Sequence, residues 1–526
     1  MAAFREVLAN CSLQDLGFHG AAFTWSNRRL SGDLVRVRLD RSVANAEWIS
    51  LFPNARVQHI VVAASDHMGL LIHMDPAQAP NIFRKKIRFR FEHMWVREAG
   101  CEDAIREGWS VQVSGTPMFS VVQKIKNCHM SLLNWCKTQV NVNPCLIASK
   151  MARLDQLENM PMDQYSSNEV NDLRREINVL TEKEEIFWRQ RSRVSWLSEG
   201  DRNTKYYNPC ASQRRRTNQI KGLRDENDVM HSDQLEISNI AVEYFHQLFN
   251  SSNPDCVQEV VSQVDTVVTP EMNRSLLCQL SGEEIQKALF QMNPSKALGP
   301  DGMTVLFFQK FWHIVGDDVS NAILDFFASG RMLRSVNYTN ITLIPKVKSP
   351  EAMTQFRPIS LCNVLYKIVS KVLVNRMKSI LPQVISVSQS AFVPGRLITD
   401  NVIMAFEVLH YLKNLGVGKN FQMAAKLDMS KAYDRVEWSY LKAILLKLGF
   451  HGRWVELIMA CVSSTSYSVL VNGSPHGYIK PSRGLRQGDP LSPYLFLICA
   501  EGLSALLRKK ERENLIRGIA ICRGGL

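Results

Sequence analysis

The chain has 526 residues, 45% hydrophobic and 21% charged, enough core material for about three globular domains and the wrong balance for a disordered or low-complexity chain. The 63 Lys and Arg outnumber the 50 Asp and Glu by 13, a balance that suggests an anionic partner, nucleic acid or membrane surface, and says nothing of fold. No apolar run reaches the roughly 18 residues of a membrane span, the first ten residues are too polar for a signal peptide, and the 12 cysteines lack any C-x-x-C pair, which argues for reduced thiols of an intracellular protein.

In chain order, residues 13–74 alternate short apolar runs with turn residues. Phe23-Thr24-Trp25, residues 34–39 and residues 57–64 each predict a strand. Residues 75–80 hold Pro76 and Pro80 and predict a boundary. Residues 81–262 are mainly helical in pattern. At their start Ile87-Arg88-Phe89-Arg90-Phe91 alternates with period two, which predicts a strand with one apolar and one cationic face. Leu173, Ile177, Leu180 and Phe187 recur at helical spacing and predict an amphipathic helix running toward Trp196, with plain packing as its role.

From Glu271 onward helices and short strands alternate. Residues 283–292 predict a helix, 341–345 a strand, and 364–379 a helix with an exposed basic side. Ala424-Ala425-Lys426-Leu427 predicts a buried strand that ends at Asp428 and leads to a helix ending near Leu448. Asn472-Gly473, between residues 468–471 and 477–480, is a hairpin signal. Ser492-Pro493 predicts a helix start, with the hydroxyl as N-cap and proline in the first turn.

Enzymes that transfer phosphoryl groups with two metal ions fix carboxylates at the ends of rigid elements, so that two hard cations roughly 4 Å apart neutralise the attacking and leaving oxygens. Asp428, at the end of an apolar strand, suits that task. Taken by itself it is better explained as an N-cap. Its context changes the weighing. Tyr433 follows five residues on, and downstream lies Arg483-Gly484-Leu485-Arg486-Gln487-Gly488-Asp489-Pro490-Leu491-Ser492-Pro493, whose glycines permit close backbone approach to a ligand. The order of strand carboxylate, aromatic, hairpin and Gln-Gly loop is specific where each part is not.

Lys426 to Val436, reading K-L-D-M-S-K-A-Y-D-R-V, resembles the first palm motif of reverse transcriptases of LINE-type non-LTR retrotransposons, and residues 484–493 resemble their second. Leu343-Ile344-Pro345-Lys346 and Phe356-Arg357-Pro358-Ile359-Ser360-Leu361 resemble the fingers motifs, residues 389–396 the element between, and residues 296–302 the opening of the domain. The wording matches plant members best. The resemblance covers nearly all of residues 283–526. It implies an RNA-directed DNA polymerase that uses Mg2+ or Mn2+, an RNA template, a DNA primer and deoxynucleoside triphosphates. By position, it makes Asp428 the catalytic metal ligand, with Met429 adding a backbone carbonyl. Tyr433 would exclude a 2′-hydroxyl, Lys346 and Arg357 would hold the triphosphate, and Gln487 and Gly488 would line the pocket for the template–nucleotide pair. Asp434 and Asp489 read as structural, pairing with Arg435 or capping the helix after Pro490.

One departure stands out. The family takes its remaining catalytic carboxylates from an aromatic-Ala-Asp-Asp turn, and no Ala-Asp-Asp occurs in these residues. One aspartate cannot hold two divalent ions. The expectation is a truncated chain, without the third palm motif and the thumb, that does not polymerise DNA by itself.

Leu16-Gly17-Phe18, Phe23 to Asn27, Arg38-Leu39-Asp40-Arg41 and Ser65-Asp66-His67 resemble the C-terminal end of an endonuclease/exonuclease/phosphatase domain. The resemblance implies His67 as general base, oriented by Asp66. The earlier strands with their metal-binding acids are missing, so this part is not expected to complete its sandwich. Between the two resemblances, residues 188–208 and Arg214-Arg215-Arg216 are similar to the linker of plant members, with Asn208 where a histidine is usual. Their interleaved Arg and aromatic residues suit phosphate contact and stacking, or equally a solvated basic face.

The expected organisation is α+β. A partial α/β sandwich nuclease remnant (1–75) and a helical basic linker (76–270) precede incomplete right-hand polymerase fingers and palm (271–526). The competing expectation is a decayed fragment that only binds nucleic acid. A nuclease acting through His67 ranks third. The nucleus is a plausible location because the family's DNA target lies there.

Overall fold

The short apolar runs near the N-terminus form strands that pair in twos, with single bridges from Trp25 to His67 and from Gln58 to His19. In the computed structural model, which describes residues 6–8, 10–19, 21–27, 35–60, 66–74, 89–139, 144–158, 167–192, 213–214, 217–414 and 422–519, six strands pair antiparallel in twos. β1 (Gln14–Asp15) lies beside β4 (Val43–Ala44), β2 (Trp25–Ser26) beside β3 (Arg36–Val37), and β5 (Arg56–Ile60) beside β6 (Gly69–His73). Among the described residues these make three two-stranded ribbons, not two packed sheets. Two strands bury too little apolar surface to be stable by themselves. The basic aromatic stretch at 193–212 and 215–216, with Trp196, Asn208, Arg215 and Arg216, lies outside the described residues, as does most of the boundary at 75–88.

The chain divides into two compact units, one made of residues 1–88 and 191–217, the other of 89–190 and 218–526. The helical region expected as a linker is thus split from residue 89 onward and shares a core with the C-terminal part. Phe91 is fully buried and meets the Phe307 ring edge-on at 5.3 Å. Trp109 and Lys124, on helices Cys101–Trp109 and Pro117–Gln139, both donate to Asp318 on helix Trp312–Ser329 at 2.7 Å. Phe89, Arg90 and Phe91 alternate buried, exposed, buried as their pattern predicts, though without joining a sheet. The amphipathic helix spans Ser167–Ser192.

At the centre of the second unit lies helix Val364–Lys378, twelve of whose residues are buried. Its basic side is not exposed, contrary to the sequence reading. Lys367 donates to the Ala297 carbonyl at 2.6 Å, and Arg376 reaches Glu284 and the carbonyls of Leu276 and Cys278. Paired in this way a cation tolerates burial that hydropathy spacing forbids. Helices Trp438–Lys447, Gly452–Ser463 and Ser492–Arg512 add to the same core. The last is capped differently from expectation. Leu491 is its N-cap, Ser492 is already helical, and Asp489 accepts from the Leu491 N–H at 3.1 Å.

After a small hairpin, β7 (Leu223–Arg224) and β8 (Met230–His231), the second unit builds one four-stranded sheet. Its order is β10 (Phe356–Leu361), β9 (Tyr338–Pro345), β11 (Ser466–Val471), β12 (Ser474–Ile479). β9 is antiparallel to β10 and parallel to β11, while β11 turns into β12 through Asn472-Gly473. Both turn residues have positive φ, 49° and 85°, as a tight hairpin demands. β11 is almost wholly buried and β9 is buried at four of its eight residues, and helix Gln234–Leu248 adds Ile237, Ala241 and Phe245 to the core on this sheet.

Residues 424–427 form no strand, and residues 422–430 are exposed throughout. An extended run becomes a strand only when a ladder partner satisfies its backbone, and no pairing among the described residues includes it. Met423 is 82% and Leu427 71% exposed. Helix Ile398–Asn414 likewise buries none of its residues, although Ile398, Val402, Ile403, Met404, Phe406 and Leu409 are all apolar. No helix among the described residues is long and apolar enough to cross a membrane.

Candidate active site

The loop after β12 is fixed from three sides. Ser360 on β10 donates its N–H to the Gln487 carbonyl at 2.8 Å, Gly484 donates to Val436, and Leu485 donates to the Tyr433 carbonyl at 2.7 Å. Glycine is required at two places. Gly484 has φ +98° and a Cβ there would stand 2.8 Å from the Asp434 carbonyl oxygen. Gly488 has φ +102° and a Cβ would meet the Ser360 carbonyl oxygen at 3.3 Å.

Beneath the loop, Arg486 is buried. Its guanidinium lies 3.8 Å over the Tyr366 ring, pairs with Asp489 at 3.2 Å and donates to the Cys461 carbonyl. Tyr366 donates its hydroxyl to the same Asp489 carboxylate at 2.7 Å. Asp489 is therefore structural, as expected.

These restraints bring β9, β10, the turn at 431–434 and the Gln487-Gly488 loop around a cavity of about 410 Å³. Lys346, Arg357, Tyr433, Gln487 and Gly488, all singled out from sequence, line it together. Arg357 is the outward residue between inward Phe356 and Pro358, so the strand alternation aims it away from the core. Lys346 follows the last residue of β9, and its ammonium donates to the Thr354 carbonyl at 2.9 Å. Its pKa is lowered by partial burial and then by Lys431 and Arg357, the other two cations of the lining. The half-buried Tyr433 ring stacks on Phe496 at 5.0 Å, and burial raises its pKa.

Two lining residues were missed as functional. Lys431, held at φ +55°, stands 5.3 Å from the Tyr244 ring centre. Asp434, expected to pair with Arg435 or to cap a helix, faces the Gln487 amide instead, with its oxygens 3.4 and 3.5 Å from Nε2. Burial pushes its carboxyl up to about 6, against the pull of Lys431, Gln487, Lys346 and Arg435. Both residues sit inside the motif read around Tyr433, and only their contacts across the fold set them apart.

Asp428 and Met429 are not among the residues that line this cavity; both are exposed. No group of three or more His, Cys, Asp or Glu able to hold a metal ion occurs among the described residues. Among the described residues the donor set does not fit a divalent cation, which needs about six oxygens.

In the first unit, His67 Nδ1 lies 2.7 Å from Asp40 Oδ2. The sequence reading gives Asp66 the task of orienting the imidazole. Asp66 instead accepts from the Trp25 indole N–H at 2.8 Å and adds a weaker through-space pull on His67. Thr24 fixes the Asp40 backbone by accepting from the N–H groups of Leu39 and Asp40. Arg38 and Arg41 turn the other way and bind Asp15 at 2.7 Å. The imidazole and carboxylate stabilise each other's charged forms. The His67 pKa is raised, first by its bond to Asp40, and that of Asp40 is lowered, first by its bond to His67.

Residues 344–522 match the family model described as reverse transcriptase (RNA-dependent DNA polymerase). Over 520 residues, 96% of the chain, the sequence is 27% identical to the transposon TX1 uncharacterized 149 kDa protein of Xenopus laevis. It is also 24% identical over 266 residues, half of the chain, to the retrovirus-related Pol polyprotein from the type-2 retrotransposable element R2DM of Drosophila melanogaster. A 52-residue stretch is 54% identical to part of an uncharacterized mitochondrial protein of Arabidopsis thaliana, 10% of this chain and 43% of that one. The chain spans 39% of the length of the Xenopus protein and 24% of that of the Drosophila protein. The cavity lies in the matched region, and the similarity to transposon proteins runs on through almost all of the rest: residues 344–522 are a reverse transcriptase domain, in a chain that is similar to non-LTR retrotransposon polyproteins.

Proposed function

We propose that residues 271–526 are the fingers and part of the palm of an RNA-directed DNA polymerase, which joins a deoxynucleotide to a primer 3′-hydroxyl on an RNA template. One observation supports this above the others. Lys346, Arg357, Tyr433 and the Gln487-Gly488 loop, from four separate stretches of sequence, line a single cavity. In this reading Lys346, Arg357 and Lys431 hold the triphosphate, Tyr433 packs under the sugar, and Gln487 with Gly488 bounds the base. Charge-assisted bonds of this kind contribute about 1.5–3 kcal/mol each. Lys346→Ala or Arg357→Ala should therefore weaken binding of a fluorescent deoxynucleoside triphosphate by roughly tenfold or more. Equal affinity in wild type and both variants would refute the assignment.

A second reading, nucleotide and nucleic-acid binding without transfer, is supported by the exposure of Asp428 and by the lack of a three-acid group among the described residues. Magnesium at Asp428, with the Met429 carbonyl, needs further oxygen ligands brought to residues 422–429. Primer extension on an RNA template by the 526-residue polypeptide separates the readings. The second expects no product, and product that disappears in Asp428→Asn would overturn it.

For residues 1–75 the Asp40–His67 pair supports descent from a nuclease, with the imidazole as proton acceptor and Asp40 in the orienting role first given to Asp66. Metal-dependent nicking of plasmid DNA by the full chain, abolished in His67→Ala, is the corresponding test.

A further inference from the structure

Asp434 is the residue of the cavity to which the nucleotide-site reading gives no task, and the inference drawn from it rests on that reading. It is 2% exposed, it is the carboxylate among the lining residues, and it sits among cations. Lys431 and Lys346 flank it across the cavity, Arg435 follows it in the chain, Arg357 lines the same wall, and Gln487 faces it from the opposite loop. Its place is set by backbone. Gly484 lies against its carbonyl, and the neighbouring Tyr433 carbonyl accepts from Leu485.

A carboxylate only accepts hydrogen bonds, whereas an amide has one donating and one accepting end. With both Asp434 oxygens 3.4–3.5 Å from Nε2, the Gln487 amide turns its nitrogen toward the carboxylate, and Oε1 is the end that this carboxylate does not engage. A neutral carboxyl can donate, and then the opposite flip becomes equally good. We propose that Asp434 is a positioning residue that sets the orientation of the Gln487 amide, so that the cavity presents a hydrogen-bond acceptor to a hydroxyl or amino group of the bound nucleotide. The burial that brings the Asp434 carboxyl to about 6 places the loss of this orientation just below neutral pH.

The test titrates the 526-residue chain with a fluorescent deoxynucleoside triphosphate and, separately, with inorganic tripolyphosphate, from about pH 5 to about pH 8. The ratio of wild-type to Asp434→Asn affinity cancels the ionisation of the ligand's own phosphates. Measured against tripolyphosphate, this ratio for the nucleotide should fall about twofold as the pH drops through the Asp434 transition, because two equally good flips halve the oriented fraction. Gln487→Ala should abolish the step, and Asp434→Asn should then change nucleotide and tripolyphosphate affinity alike. For tripolyphosphate, which offers no donor beyond its phosphates, the ratio should not fall on acidification, since losing the Asp434 charge only helps the cations. A nucleotide ratio independent of pH, or a fall of equal size with tripolyphosphate, overturns the positioning role while leaving the nucleotide site intact. A wild-type chain that binds neither probe overturns the site itself and the proposal with it.

Discussion

The Arg486 guanidinium and the Tyr366 ring are stacked 3.8 Å apart, and both side chains bind the Asp489 carboxylate. This buried set joins helix Val364–Lys378 to the loop that carries Gln487, and it sets how firmly the cavity keeps its shape. Removing one partner leaves a charge stranded in a region that water does not reach. Arg486→Met should cost about 3–5 kcal/mol, read as a lower thermal unfolding midpoint. Asp489→Asn should cost less, because the amide still accepts from Tyr366. The double change to Met and Leu should recover part of the loss, so an additive double variant would contradict the pairing.

Tyr433 lies flat on Phe496, with ring planes 13° apart, so its position is braced from behind. If it excludes a 2′-hydroxyl, Tyr433→Ala should let ribonucleotides bind nearly as well as deoxynucleotides, a loss of discrimination of roughly tenfold or more. Phe496→Ala should give a smaller effect in the same direction, by letting the ring shift. Competition of dTTP against UTP for the labelled nucleotide measures both. Unchanged selectivity in Tyr433→Ala would remove the tyrosine from the site.

Much of this arrangement is legible in the sequence. The hairpin at Asn472-Gly473, strand β9 and the helix beginning at Val364 follow from turn chemistry and periodicity, which are local. The meeting of Lys346, Arg357, Tyr433 and Gln487 is what the family resemblance of their motifs implies. What escapes is set by contacts far apart in the chain. Arg376 looks solvent-facing by spacing until Glu284 and three carbonyls are found around it. Asp40 and His67 are 27 residues apart, and nothing near either predicts the pair. Residues 424–427 have strand composition, yet strand formation needs a second chain segment that composition does not reveal.

The Asp40–His67 pair has a definite pH signature. Asp40 is lowered from 3.8, so its contribution is complete above that value and disappears as pH falls through its lower folded value. His67 is raised from 6.5, so its contribution is complete below 6.5 and disappears as pH rises through its higher folded value. The pair therefore helps most between about pH 4 and pH 6.5. By NMR of histidine-labelled chain, the His67 midpoint should lie above 6.5 and drop in Asp40→Asn. Asp66→Asn should move it less, and the reverse ranking would restore Asp66 as the orienting group.

Gly488 and Gly473 both adopt left-handed backbone, but only Gly488 has a neighbour where a Cβ would go. Gly473→Ala should cost about 1–2 kcal/mol from the backbone alone and leave nucleotide affinity unchanged. Gly488→Ala should cost at least as much and also weaken nucleotide binding, by pushing the loop off the Ser360 carbonyl. Equal affinities in the two variants would show that the contact with β10 does not shape the cavity.

Helix Ile398–Asn414 and residues 422–430 carry leucine, isoleucine, valine, methionine and phenylalanine side chains into water. Exposed oily surface of this kind is what heat-shock chaperones and quality-control proteases recognise, and what makes purified protein precipitate on concentration. In a cell, the abundance of this polypeptide would then be governed by how quickly that surface is masked, ahead of any property of its nucleotide cavity.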